Sequence, residues 1–248
     1  MNKTFQHFIS ILDELIEKNE FFQFYFQSPY SLESGWYLNE IYNAPPTVQL
    51  ECGATRGTLI SSGCDEVVKF DLDIGMDDCN CNSELSIYED AVAAKLSECF
   101  VRCYYLGTYK KSVHTWPIAM FEDNGRWDDW NFSEEQFQKF AREENGLTEE
   151  DKCEIVISIP LYAYEKASDI GSFEESEAAD SDIASSYDSP LMERDTEIGA
   201  NFVHEYGEAF YAALSAFLNE HDVNDIHCGN IGWVGKRFVL IDYAGYHC

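Results

Sequence analysis

The sequence predicts an α+β fold. Three observations carry this: an amphipathic opening helix, a glycine-punctuated run of short β-forming segments in the first half, and a long helical stripe in the second half that leads into a terminal hairpin. Over residues 4–18, Phe5, Phe8, Ile9, Leu12, Leu15 and Ile16 recur at helical spacing. Asn43-Ala-Pro-Pro46 breaks the chain. Thr47 to Glu51, Gly57 to Ser61 and Glu66 to Asp71 then read as three antiparallel strands, separated by Gly53 and by Ser62-Gly63.

Residues 83–103 read as a helix, with Ile87, Val92, Leu96 and Phe100 on one side. Trp116 to Phe121 reads as a strand, and Ser133-Glu-Glu-Gln136 is a capping-box pattern that opens a helix. Glu154 to Ile159 reads as a strand that stops at Pro160. Residues 166–197 are rich in Ser, Asp, Glu and Ala, which predicts a solvated, mobile loop. Phe202, Tyr206, Phe210, Leu214 and Phe217 line one face of a long helix. The expected division is a sheet-rich part, 1–160, and a second part, 161–248, that holds the acidic loop, the long helix and the hairpin.

With 46 acidic and 16 basic residues, the formal charge of the 248-residue chain is −30. Such a charge repels nucleic acid and anionic membrane surfaces, and it attracts basic partners and divalent cations. No charge-free apolar run approaches the roughly 18 residues of a membrane span. Asp13, Glu14, Glu17 and Lys18 stand where an export signal would be apolar, and the nine cysteines are odd in number. A reducing cytoplasm is the expectation. Cys79-x-Cys81 with Cys99-x-x-x-Cys103 is too tightly spaced at its first pair for a usual structural zinc loop, so ordinary thiols are expected.

The last 27 residues hold the chemistry, in Asp225-Ile-His-Cys-Gly-Asn230-Ile231 and the hairpin that follows. Ile231 to Val234 and Phe238 to Ile241 flank the turn Gly235-Lys236. Antiparallel pairing brings Asn230, just before the first strand, beside Asp242, just after the second. Two hard oxygen donors there suit Mg²⁺, which takes few protein ligands and completes its shell with phosphate and water. Asp225, on the loop before Asn230, could accept a proton from an attacking hydroxyl. His227 is expected to brace this loop by hydrogen bonds.

These residues resemble the protein-kinase superfamily. Asp225 and Asn230 match its D-x-x-x-x-N catalytic loop, and Asp242-Tyr-Ala244 stands at D-F-G. The form D-x-H-x-G-N-I is similar to atypical branches: aminoglycoside and choline phosphotransferases, and short kinases encoded by some bacteriophages. The resemblance implies a kinase-like bilobal fold, ATP and Mg²⁺ as cofactors, Asp225 as catalytic base, and Asn230 and Asp242 as metal ligands. Glu66-Val-Val-Lys69 resembles the V-A-I-K strand, so Lys69 would pair the α- and β-phosphates. Glu89 is the expected partner that orients Lys69, with Glu84 as its rival. Gly53-Ala-Thr-Arg-Gly57 stands where the glycine-rich loop lies, and Leu161-Tyr162-Ala163 stands at the hinge that takes adenine.

The sequence departs from that pattern in places. Val223 and Asn224 replace the His and Arg of H-R-D, and Tyr243 replaces the Phe of D-F-G. Without that Arg, activation-loop phosphorylation has no anchor. The sequence continues only six residues past Asp242, which predicts a truncated C-terminal lobe. Substrate recognition is then expected from residues 1–45 or 124–150. The leading expectation is a compact phage-type Ser/Thr protein kinase acting in a bacterial cytoplasm. The other is an acidic kinase-like scaffold, such as a nucleic-acid mimic, that captures a basic host or defence protein.

Overall fold

A computed structural model describes residues 2–17, 22–27, 33–38, 48–52, 56–71, 80–115, 142–143, 146–169, 197–223, 226 and 228–244. It mixes helices with antiparallel sheet, as an α+β chain should, and divides into two units. The first comprises residues 1–80 and 105–163, the second residues 81–104 and 164–248.

In the first unit, helix α1 (Lys3–Glu17) forms where the sequence places it. Strands β1 (Phe22–Gln27) and β2 (Glu33–Leu38) pair as an antiparallel hairpin. Strands β3 (Val48–Cys52), β4 (Arg56–Ser61) and β5 (Glu66–Asp71) are antiparallel neighbours, each within a residue of its expected start. They join β6 (Cys103–Thr115) and β7 (Cys153–Glu165) in a five-stranded sheet of order β3-β4-β5-β7-β6.

The period-two alternation of a strand sorts this sheet into faces. Gly57 pairs with Phe70 and Leu59 with Val68, and Leu59, Val68 and Phe70 pack with Phe8, Ile11 and Leu12 of α1. A Cβ on Gly57 would stand 2.4 Å from the Phe70 ring, so the absent side chain is what lets that ring cover the strand. The alternate residues Arg56, Thr58, Lys69 and Asp71 fall on the other face. Polar pairs edge α1: Thr4 Oγ1 donates to Glu66 Oε2 (2.9 Å), and Tyr109 Oη and Lys111 Nζ both donate to Asp13 Oδ1 (2.9 Å each).

In the second unit, helix α2 (Asn80–Ala93) is shorter than the predicted 83–103. Leu96 N–H donates to Ala91 O and Lys95 N–H to Val92 O, with Lys95 at φ 63°. This is the Schellman ending, in which a left-handed residue turns the chain and the next apolar side chain closes over the last turn. Leu96 and Ala91 are both buried. The predicted long helix likewise divides into α3 (Glu197–Tyr206) and α4 (Glu208–Glu220) at Gly207, whose φ of 85° is closed to a continuing helix. The Schellman ending recurs after α4: Val223 N–H donates to Leu218 O and Asp222 N–H to Asn219 O, with Asp222 at φ 54°.

The terminal hairpin is present as β9 (Ile231–Val234) and β10 (Arg237–Leu240), with Gly235 at φ 64° in the two-residue turn. The expected loop at 166–197 begins instead with β8 (Ser168–Asp169), which pairs with Trp233 and Gly232 of β9. A Cβ on Gly232 would lie 2.6 Å from Ser168 O, so glycine permits this approach. Residues 170–196 lie outside the described residues, as do the expected strand at 116–121 and the helix opening at Ser133.

Strand β7 corrects another expectation: it runs through Pro160 to Glu165. A proline gives up one N–H of the ladder, yet its fixed φ is compatible with extended backbone. Leu161, Tyr162 and Ala163 are therefore buried positions within a strand, with no break ahead of them.

Lysine pays a steric cost in the left-handed region that glycine does not. Lys95→Gly should therefore raise stability by about 0.5–1 kcal/mol. Chemical denaturation checks this, and a lowered midpoint would contradict the described helix ending.

Candidate functional site

The hairpin register decides where the predicted metal ligands stand. Leu240 pairs with Ile231, and Ile241 N–H donates to Asn230 O at 2.8 Å. The ladder thus extends one step past the strands. Asn230 lies opposite Ile241, and Asp242 is one residue further along the returning chain. Both side chains are half-buried, at adjoining positions at one end of the hairpin. Cys228–Asn230 form a single 3₁₀ turn that delivers Asn230 to this end.

Past Asp242 the chain enters the core. Tyr243 and Ala244 are buried. The Tyr243 ring meets Phe100 edge-on, with centroids 5.1 Å apart, and its hydroxyl donates to Val101 O at 3.0 Å. Its backbone N–H donates to Glu84 Oε1 at 2.9 Å, and Glu84 Oε2 accepts from the Tyr164 hydroxyl at 2.6 Å. Glu84 is 0% exposed. Burying a carboxylate is costly unless hydrogen bonds replace its water, and these two donors do part of that work.

Helix phase explains why Glu84 is inside. Cys81, Glu84, Ile87 and Ala91 recur every three or four residues and are all buried. Glu89 lies five residues on from Glu84, about 140° further round the helix at 3.6 residues per turn, and is exposed. Of the two acids considered on α2, the buried one is thus Glu84.

Lys69 lies on β5 of the first unit at 6% exposure, opposite Thr58 of β4. Gly57 belongs to β4, and its open side is taken by Phe70. Gly53, Asp225 and His227 lie outside the described residues. The chain leaves α4 at Val223, which is buried two residues before Asp225.

Cys81, Cys99 and Cys103 are buried free thiols, and burial pushes the Cys99 thiol well above its ordinary range. Among the described residues no group of three or more His, Cys, Asp or Glu side chains is placed to hold a metal ion. A pair such as Asn230 and Asp242 can hold Mg²⁺ only as a partial shell completed by phosphate and water, which is the ordinary habit of that ion.

The sequence offers Glu84 as the rival of Glu89, and what the structure adds is its burial with Tyr164 as donor. The signal was an acid in phase with the apolar positions of α2. No family model, curated protein or solved structure matches the chain.

Burial also raises the Tyr164 and Tyr243 hydroxyls above their ordinary value of 10.0, with nearby Glu84 adding to the effect in both. The folded state keeps phenolic protons that the unfolded chain releases near pH 10. Their contribution is fully present below that pH and is lost as pH rises above it. Stability should therefore fall above pH 10, and Tyr243→Phe should reduce the slope by about 1.4 kcal/mol per pH unit. Urea midpoints across alkaline pH measure this, and an unchanged slope would argue against the buried phenol.

Proposed function

We propose that this chain is an ATP- and Mg²⁺-dependent phosphotransferase acting on a hydroxyl, built on a kinase-like bilobal plan. The observation that carries the reading is the placement of Asn230 and Asp242 at one end of the β9–β10 hairpin, both half-buried. In this reading these two residues hold Mg²⁺, which neutralises charge on the phosphates during transfer. Asp225 accepts the proton of the attacking hydroxyl, and Lys69 engages the α- and β-phosphates. Of the two candidate acids on α2, Glu84 is buried and Glu89 is exposed. The acceptor is a Ser or Thr hydroxyl of a protein.

The reading predicts binding and chemistry separately. ATP with Mg²⁺ should raise the melting temperature, because a ligand that binds only the folded state stabilises it by about 2.7 kcal/mol at a hundredfold excess over Kd. Asp242→Asn should remove most of that shift. Asp225→Ala should leave the shift intact and cut phosphate transfer by ~10²–10⁴-fold, the usual cost of losing a positioned base. Thermal melts and labelled-ATP assays with basic protein acceptors read both, and an unaltered shift in Asp242→Asn would overturn the metal assignment.

The charge of −30 favours a second reading, an acidic scaffold that captures a basic protein. There, Asp225→Ala would leave binding unchanged and added salt would weaken it, because screening shortens the reach of surface charge.

A further inference from the structure

Asp242 is bracketed by two main-chain hydrogen bonds. Before it, Ile241 N–H is held by Asn230 O at 2.8 Å, within the hairpin. After it, Tyr243 N–H is held by Glu84 Oε1 at 2.9 Å. The amides on either side of Asp242 are thus fixed by different parts of the second unit, one by the hairpin and one by α2. We propose that Glu84 and Tyr164 form a buried clamp on the main chain at Tyr243 that sets the orientation of Asp242 and so tunes the affinity for Mg²⁺. This rests on the phosphotransferase reading given above.

The clamp has an internal order. A carboxylate can rotate about its last bond, and donors on both of its oxygens oppose that rotation. The Tyr164 hydroxyl, 2.6 Å from Oε2, fixes the rotation and so aims Oε1 at Tyr243 N–H. Tyr164 itself is buried at the end of β7 and is not free to swing away. The Tyr243 side chain is pinned independently, through its hydroxyl to Val101 O and its ring against Phe100. Packing of that ring survives loss of the clamp, whereas the backbone direction at Asp242 does not. Glu84 and Tyr164 are positioning residues: neither needs to touch the metal, and small displacements of a ligand group are expensive at such a site.

The test uses the full chain and thermal melts, with Mg²⁺ titrated at saturating ATP and ATP titrated at saturating Mg²⁺. Tyr164→Phe removes one hydroxyl and keeps the ring. It should raise the Mg²⁺ midpoint about tenfold and leave the ATP midpoint within about twofold, the scale of one lost hydrogen bond to a charged group. Glu84→Gln keeps an oxygen for Tyr243 N–H and can donate its amide to the Tyr164 oxygen, so it should hold the Mg²⁺ midpoint within about threefold of the parent. Amide exchange at Tyr243 should quicken in Tyr164→Phe and stay slow in Glu84→Gln. Equal Mg²⁺ midpoints in the parent and Tyr164→Phe would overturn the clamp and leave the phosphotransferase reading standing. Parallel shifts of both midpoints would also overturn it, since that is the mark of general loosening. A parent protein that does not respond to Mg²⁺ and ATP would overturn the reading and the clamp together.

Discussion

The carboxylate of Glu84 is sealed from water, and a sealed carboxylate must be met by donors within the protein. That requirement organises the second unit. It draws the end of β7 to α2 through Tyr164, and it draws the segment past β10 to α2 through the Tyr243 amide. Removing one of these donors would leave a buried acceptor unmet, which typically costs more than the hydrogen bond itself contributes. The junction therefore acts on specificity of structure: chain paths that leave Glu84 without donors are penalised.

Around it the apolar packing follows. Phe100 sits between Phe217 of α4 and Tyr243, edge-on to both at 5.8 and 5.1 Å. Phe202 of α3 lies 4.7 Å from Phe238 of β10, and the Tyr206 hydroxyl donates to Phe238 O at 2.7 Å. The hairpin is thus held from its own ladder, from the aromatic layer and from the polar junction. Asn230 and Asp242 remain half-buried at its end. The first unit obeys a simpler constraint. One face of β4 and β5 is apolar and takes α1, and the other carries Arg56, Thr58, Lys69 and Asp71.

Much of this was legible in the sequence where the signal is local. Helix α1, strands β3 to β5 and the terminal hairpin follow from the periodicity of neighbouring residues and from Gly235-Lys236 in the turn. The misplaced boundaries share a cause. Lys95 and Asp222 end helices in a conformation that sequence rules assign to glycine, and each is compensated by an apolar residue closing the last turn, Leu96 and Val223. At Pro160 the opposite occurred: a residue that usually ends a strand sits inside one, because neighbouring strands supply the remaining pairing.

By itself the sequence determined the α+β class, the opening helix, the strand run, the hairpin, and the placement of Asn230 and Asp242 on either side of it. Each depends on residues close together in the chain, whose periodicity and turn chemistry act before any long-range contact forms. The tertiary structure settled which acid of α2 is inside, because the stripe read from the sequence included Val92, which is exposed, and so left the helix phase open between Glu84 and Glu89. Only it joined Glu84 to Tyr164 and Tyr243, residues 80 and 159 positions away. Hydrogen bonds across such separations leave no mark on local pattern, since what selects them is the cost of a buried charge without donors.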